Sequence, residues 1–100
     1  MDIIIKSVGF KAGNNLETFV IEKVKKLFRQ CDDIIRARVI LCKEESKNPE
    51  NKLCEIRLEV PGNDHFVKKS SGDYRKSVLQ SVVVLQEILR RNKTRLLTRR

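Results

Sequence analysis

The chain has 100 residues, of which 40% are hydrophobic and 35% are charged, a balance that predicts one globular domain over residues 1–100 and argues against wholesale disorder. Its formal net charge of +9 is large for this length and favours a polyanionic partner, with nucleic acid the first candidate and an acidic membrane surface the second. No apolar stretch is long enough to span a membrane, and the N-terminus lacks the pattern of a signal peptide.

A strand and a helix are predicted in the first third of the chain. Residues 2–10 are rich in β-branched side chains, which predicts the strand. Residues 11–15 are helix breakers and include an asparagine suited to cap a helix. The helix is predicted at 15–30, flanked by Phe19 and Phe28, because apolar side chains recur there at helical spacing: Leu16, Val20, Val24, Leu27 and Cys31.

Two alternating segments predict a pair of half-buried strands separated by a polar loop. In residues 34–43 the inward side chains are Ile35, Ala37, Val39 and Leu41. In residues 53–60 they are Cys54, Ile56, Leu58 and Val60. Arg36 and Arg38 lie on the outer face of the first strand, where they can pair across strands with glutamates of the second, Glu55 and Glu59.

A turn, a short strand and a second helix complete the chain. Pro61 and Gly62 predict a turn at 61–64, because proline presets φ and glycine accepts a positive φ. A strand is predicted at 65–70, and residues 71–73 supply an N-cap and, in Asp73, an acid at the positive end of the helix that follows. That helix has one apolar stripe, formed by Val78, Val82, Leu85, Leu89 and Leu96.

The predicted element order is β-α-β-β-β-α. One helix connects the first two strands, so these should run parallel through a right-handed crossover, and the last three strands should form a meander. Both helices have to bury their apolar stripes on the same face of the sheet. The predicted fold class is therefore α+β, a two-layer sandwich of a four-stranded sheet with both helices on one face.

The positive charge is concentrated in the two predicted helices. Residues 16–30 and 73–100 together carry a net charge of +8, whereas residues 31–72 carry eight residues of each sign. Two helices in one layer would combine their outer sides into one basic surface, which is typical of phosphate-binding proteins. A solvated face of i,i+4 ion pairs is the alternative. It fits Glu22 and Lys26 but not residues 90–100, where no acid lies to pair with the cations.

The kind of nucleic acid is indicated by the motifs that are missing. The sequence has no helix-turn-helix, zinc-finger or basic-zipper signature, and neither an RNP motif nor a GxxG loop. Phe19 and Phe28 fit the core of the first helix better than a stacking platform. Base-specific recognition is therefore not expected, and a basic helical face favours structured RNA that is recognised through its backbone and shape.

Two helix motifs, taken together and in order, resemble those of a known family. The first helix has the pattern FV-x-x-K-x-x-K-L, which starts at Phe19 and includes Lys23 and Lys26. The second opens on the acidic Asp73 and an aromatic residue and ends in dense lysine and arginine. Over nearly its whole length the chain resembles the hibernation promoting factor and ribosome-associated inhibitor family, in its short type. It departs at Arg75, where the family often has its tyrosine.

The resemblance implies a fold similar to a double-stranded RNA-binding domain. It also implies a protein of stress and stationary phase that binds the small ribosomal subunit in the channel for messenger and transfer RNA. There it would inhibit translation by occupancy, with other hibernation factors as further partners. The resemblance implies phosphate contacts by Lys23, Lys26, Arg90, Arg91, Lys93 and Arg95. Charge alone adds Lys25, Arg29 and Lys76.

Neither catalysis nor a cofactor nor a metal site is predicted. His65 is the only histidine, lacks a nucleophile motif beside it, and is interpreted as a solvent-facing residue at a strand edge. The three cysteines are odd in number and have no CxxC spacing, which predicts half-buried apolar side chains in a reducing cytoplasm. Two alternatives stay open: a nucleic-acid-binding module without ribosome specificity, and a small hydrolase or nuclease that uses His65.

Overall fold

A computed structural model gives the chain four strands and two helices: β1 (Ile3–Val8), α1 (Asn14–Gln30), β2 (Arg36–Lys43), β3 (Lys52–Glu59), β4 (His65–Ser71) and α2 (Tyr74–Thr98). The structure describes residues 2–44 and 47–98, with side chains up to residue 91. The predicted order β-α-β-β-β-α is confirmed.

The sheet has the strand order β1-β2-β3-β4. β1 runs parallel to β2, as predicted from the helix that connects them, and β2, β3 and β4 form an antiparallel meander. The register places Val39 of β2 between Ile5 of β1 and Ile56 of β3. The turn between β3 and β4 has Gly62 at a φ of 93°, the positive value that the sequence predicted there.

The core lies between one face of the sheet and both helices. The sheet contributes the predicted inward side chains, all fully buried: Ala37, Val39, Leu41, Cys54, Ile56 and Leu58. The helices contribute the members of their predicted stripes: Val20, Val24, Leu27, Val78, Val82, Leu85 and Leu89. Because both stripes meet the same sheet face, the predicted two-layer α+β sandwich is confirmed. Leu96, predicted to extend the second stripe, lies outside the residues with described side chains.

Two local predictions at the connections were wrong. The N-cap of α1 is Gly13, with no side-chain hydrogen bond, because the helix already includes Asn14 and Asn15, one of which was expected to cap it. Ile35 is 55% exposed, since it precedes β2 and Ile34 fills the core in its place. Val60 follows β3, but it is half-buried and packs against the core, so its predicted inward orientation is confirmed. Cys54 is fully buried, whereas Cys31 and Cys42 are half-buried as predicted.

The start of α2 is anchored to the sheet by polar groups. The Oδ1 atom of Asp73 accepts a hydrogen bond from the backbone N–H of Arg75 at 3.0 Å, so the cap comes from the predicted segment 71–73 and is Asp73. The fully buried Ser77 hydroxyl donates to the carbonyl oxygen of Lys52 in β3 at 2.6 Å and lies 2.8 Å from the Ser71 hydroxyl. These contacts fix where the first turn of α2 lies relative to β3 and β4.

Candidate nucleic-acid interface

The two helices lie side by side and run in the same direction. Near the start of each helix, the guanidinium carbon of Arg75 lies 5.5 Å from the centroid of the Phe19 ring. Near the end of α1, the side-chain amide of Gln30 donates to the carbonyl oxygen of Gln86 at 2.8 Å. In both contacts the α2 residue lies 56 positions after its α1 partner. The helices therefore form a parallel pair whose seam runs from Phe19 and Arg75 to Gln30 and Gln86.

Two of the predicted basic residues lie along this seam. Lys23 and Lys26 fall between Phe19 and Gln30 at intervals of three and four residues, so the helical repeat places all four on the same flank of α1. The ammonium group of Lys23 lies 5.3 Å from the Phe19 centroid, and Lys26 is exposed. Lys25 and Arg29 are exposed as well, on the side of α1 that faces solvent.

Six cations of α1 and the first turn of α2 have no acidic partner within the described parts of the chain. We call them the basic helix face: Lys23, Lys25, Lys26, Arg29, Arg75 and Lys76. Glu22 and Lys26 have the spacing of an i,i+4 pair, yet no ion pair forms between them. The alternative of a self-neutralised solvated face therefore does not describe α1.

Arg75 is the functional candidate that the sequence analysis missed. It was counted in the charge of the second helix but not proposed as a site residue. Nothing in the sequence gives the offset of 56 positions between the helices, which depends on how both pack on the sheet. The sequence does mark this position, since an arginine stands where the family often has a tyrosine.

Arg90 and Arg91 have an acidic neighbour, contrary to the expectation that no acid lies near the cations of residues 90–100. Both contact Glu87, one turn earlier on α2: Arg90 through two hydrogen bonds of 3.1 and 2.6 Å, and Arg91 through one of 3.3 Å. The hydrogen bond from Arg90 and the charges of both arginines hold the pKa of Glu87 below its usual range. The expectation failed because it considered only residues after position 89, whereas helical neighbours are three and four residues apart.

This trio still carries a net positive charge, since two guanidinium groups share one carboxylate. Arg90 and Arg91 are 68% and 71% exposed at their side chains, so the ion pairs are screened by solvent and are weak constraints. The predicted contacts Lys93 and Arg95 lie on the last turns of α2, outside the residues whose side chains the structure describes.

Tyr74, the first residue of α2, is used for packing. Its ring stacks on Phe10 with centroids 4.3 Å apart and an angle of 10° between the planes. Its hydroxyl is buried without a hydrogen-bond partner among the described residues, and this desolvation raises the pKa of Tyr74. Because Phe10 covers one face of the ring, Tyr74 is not an open stacking platform for a base.

The outer face of the sheet differs from the basic helix face, because most of its charged side chains pair with one another. Glu59 pairs with Arg38 at 2.7 Å and with Arg36 at 3.4 Å, the cross-strand pairing that the sequence predicted. The hydrogen bond from Arg38 is the main cause that lowers the pKa of Glu59. Glu55 pairs instead with Lys68 of β4, at 3.9 Å, because the register sets Ile40 opposite it in β2. The sheet face is therefore largely neutralised by its own acids.

In the described parts of the chain, no three histidine, cysteine, aspartate or glutamate side chains are grouped to hold a metal ion. His65 begins the edge strand β4 and is half-buried rather than solvent-facing. Burial raises the pKa of Cys54 to about 12, so its thiol is protonated at neutral pH and is not a nucleophile there. Neither helix, over its described residues, has the length and apolar character needed to cross a membrane.

Comparison with known proteins gives one family and several similar folds. The family described as sigma 54 modulation protein / S30EA ribosomal protein matches residues 3–97. The ribosome hibernation promotion factor of Deinococcus radiodurans is 31% identical over 96 residues, which cover 89% of this chain and 50% of that protein. The chain thus spans half the length of this curated relative.

Two solved structures share the fold. The N-terminal domain of Protein Y from Thermus thermophilus superposes with a TM-score of 0.76 at 21% identity, covering 91% of this chain and 98% of that one. A ribosomal subunit interface protein from Coxiella burnetii superposes with a TM-score of 0.78 at 22% identity, covering 94% of this chain and 99% of that one. At these identities the likeness establishes the arrangement of strands and helices.

Proposed function

Because this chain belongs to the sigma 54 modulation protein / S30EA ribosomal protein family, we propose that it binds the small ribosomal subunit and holds the ribosome inactive. The proposed position is the channel for messenger RNA and transfer RNA. Occupying that channel would block initiation without any chemical step, which agrees with a family of ribosome-associated factors rather than enzymes. The ribosome-binding unit is proposed to be residues 1–100, acting in the cytoplasm.

The observation that carries this proposal is the basic helix face. Its six cations have no acidic partner in the described parts of the chain, whereas the arginines of the sheet face do. Ribosomal RNA presents a dense array of phosphates, and neutralising them releases counterions, which favours association. Phosphate and shape recognition of this kind requires neither an aromatic platform nor base-specific side chains.

The proposed RNA contacts extend from this face along α2. The basic helix face supplies Lys23, Lys25, Lys26, Arg29, Arg75 and Lys76. Arg90 and Arg91 add exposed guanidinium groups despite their contact with Glu87, and Lys93 and Arg95 remain proposed contacts on the family resemblance. Because α2 residues lie 56 positions after their α1 neighbours, Arg90 corresponds to position 34, and these later cations lie beyond the end of α1 at Gln30.

Sedimentation of stationary-phase lysate tests the proposal. We expect the wild-type chain to migrate with small subunits or whole ribosomes at physiological salt, and purified chain to stop translation in vitro. The double variant Lys23→Glu/Lys26→Glu should stay in the free fractions, because it reverses two unpaired charges on the seam.

A matched control makes the same change of charge on the other side of the molecule. Lys6→Glu/Lys68→Glu alters two exposed lysines of the outer sheet face and should leave co-migration intact. Wild-type chain in the free fractions would refute ribosome binding. Equal losses in both double variants would mean that net charge, and not the helix face, determines binding.

A further inference from the structure

Basic side chains from both helices contact the ring of Phe19. Lys23 of α1 lies over its ring at 5.3 Å and Arg75 of α2 lies over it at 5.5 Å. Their cationic centres are therefore separated by at most the sum of those distances, about 11 Å. Neither forms an ion pair with a described acidic side chain. The potentials of two like charges held at one ring without a counter-charge add, which favours an anion there.

The ring also restricts where these cations can go. An exposed lysine or arginine normally samples many rotamers, and ordering it on binding has an entropic cost. A cation over an aromatic face is already attracted by the ring quadrupole. Phe19 is half-buried and packs on the core, so the ring itself is fixed by the fold. The two cations are thus partly ordered before any ligand arrives.

We infer that Lys23 and Arg75 form a clamp for one backbone phosphate of the bound RNA, with Phe19 as the residue that positions both cations. The inference rests on the proposed function and assigns one phosphate subsite within it. Charge-assisted hydrogen bonds of about 2.7–2.9 Å from an ammonium on one side and a guanidinium on the other suit the non-bridging oxygens of a single phosphate. Arg75, which the sequence analysis did not propose as a site residue, thereby has a specific role among the proposed RNA contacts.

The outer face of the sheet contains a similar contact between an arginine and an aromatic ring, for which no RNA-binding role is proposed. The guanidinium carbon of Arg57 lies 5.6 Å from the Phe66 centroid, a geometry close to that of Arg75 on Phe19. Arg57 also pairs with Asp64 at 3.7 Å, so this cation already has a counter-charge. Variants at Arg57 and Phe66 therefore control for the loss of a cation–π contact as such.

The test measures affinity for purified small ribosomal subunits as a function of salt. We expect Lys23→Gln and Arg75→Gln each to weaken binding about tenfold, since each removes a charge-assisted hydrogen bond. Phe19→Leu keeps every charge and most of the apolar volume, so we expect a loss of about threefold to tenfold through positioning alone. Phe19→Tyr keeps the ring and should bind like wild type. Arg57→Gln and Phe66→Leu should also bind like wild type.

The salt dependence decides whether the two cations share a phosphate. Each neutralised phosphate contributes about 0.7–0.9 to the slope of log affinity against log salt. With a shared phosphate, Lys23→Gln/Arg75→Gln lowers the slope by one such contribution. A slope lowered by two such contributions would overturn the shared clamp. Wild-type affinity in Arg75→Gln would overturn it as well, because this substitution lies at the surface and spares the fold. Wild-type chain that fails to bind refutes the proposed function and the clamp together, whereas binding with unaffected clamp variants refutes the clamp alone.

Discussion

Glu87 limits the positive potential of α2 through its contacts with two arginines. Its carboxylate accepts hydrogen bonds from Arg90 and Arg91, and its lowered pKa keeps it ionised at neutral pH. If this part of α2 faces ribosomal RNA, an ionised carboxylate there repels phosphate. Its removal should therefore improve binding, which is unusual for the loss of an ion-paired residue.

We expect Glu87→Gln to bind small ribosomal subunits more tightly than wild type, with a steeper dependence on salt. The amide has the same shape, so the helix should be unaffected, and thermal unfolding should change little because the ion pairs are exposed. Titration of labelled protein at two salt concentrations checks the expectation. Unchanged or weaker binding would place the Arg90 region outside the RNA contact.

Cys54 gives the protein a pH dependence above neutrality. Its thiol has an ordinary pKa near 9.0 and one of about 12 in the folded chain, mainly because burial disfavours the thiolate. Between these values the unfolded chain loses a proton that the folded chain keeps, so deprotonation favours unfolding. The stabilisation is complete below about pH 9 and falls as pH rises toward 12.

The free energy of unfolding should therefore decrease from pH 8 to pH 10.5, and less so in Cys54→Ala, which has no thiol to ionise. Chemical denaturation at several pH values measures both slopes. Tyr74, whose pKa is also raised, contributes in the same direction in both proteins and so cancels in the comparison. Equal slopes in the two proteins would show that Cys54 is not the responsible group.

At the scale of elements, the sequence predicted every strand and helix, and periodicity carried the prediction for β2, β3 and both helices. Alternation in β2 and β3 and the stripes of α1 and α2 record which side chains face the core, and burial is a strong constraint on sequence. The errors fall at connections, where no periodicity operates. The α1 cap and Ile35 depend on the exact residue at which an element begins, which tertiary packing decides.

The stripe on α2 also makes a quantitative prediction. Leu85 is completely buried against the sheet, so Leu85→Ala should lower the free energy of unfolding by about 2–5 kcal/mol through lost burial and a cavity. Val83, two residues earlier, is 60% exposed, and Val83→Ala should change it by no more than about 0.5 kcal/mol. Urea denaturation of both variants provides the measurement. Similar losses at the two sites would contradict the placement of the α2 stripe.

The helix pair explains which parts of the candidate site were predictable. Lys23 and Lys26 were proposed from a family motif that lies within α1, and the structure places both on one flank of that helix with Phe19. Arg75 was not, because its approach to Phe19 depends on the packing of α2, which is separated from α1 by three strands. Contacts within an element can be inferred from the sequence, whereas contacts between elements require the fold.

At the scale of the whole molecule, the net charge of +9 is distributed unevenly between two sides. The sheet face pairs its arginines with acids of the same sheet or of its turns, while the basic helix face has no such partners among the described residues. A surface with unsatisfied cations gains most from a polyanion, and one with internal ion pairs gains little. We therefore expect the chain to approach RNA in one orientation, with its helices foremost.

This asymmetry predicts the dependence of ribosome binding on salt. With Lys23 and Arg75 sharing one phosphate, the six unpaired cations of the basic helix face can neutralise at most five phosphates. Each contributes about 0.7–0.9 to the log–log slope, so this face alone accounts for a slope of up to about 3.5–4.5. Affinity for purified small subunits, measured between 50 and about 300 mM salt, should fall steeply along such a line. Lys6→Gln on the sheet face should leave the slope unchanged, whereas Lys26→Gln should reduce it by about one phosphate contribution. A flat salt dependence, or equal changes of slope in the two variants, would contradict binding through the helices.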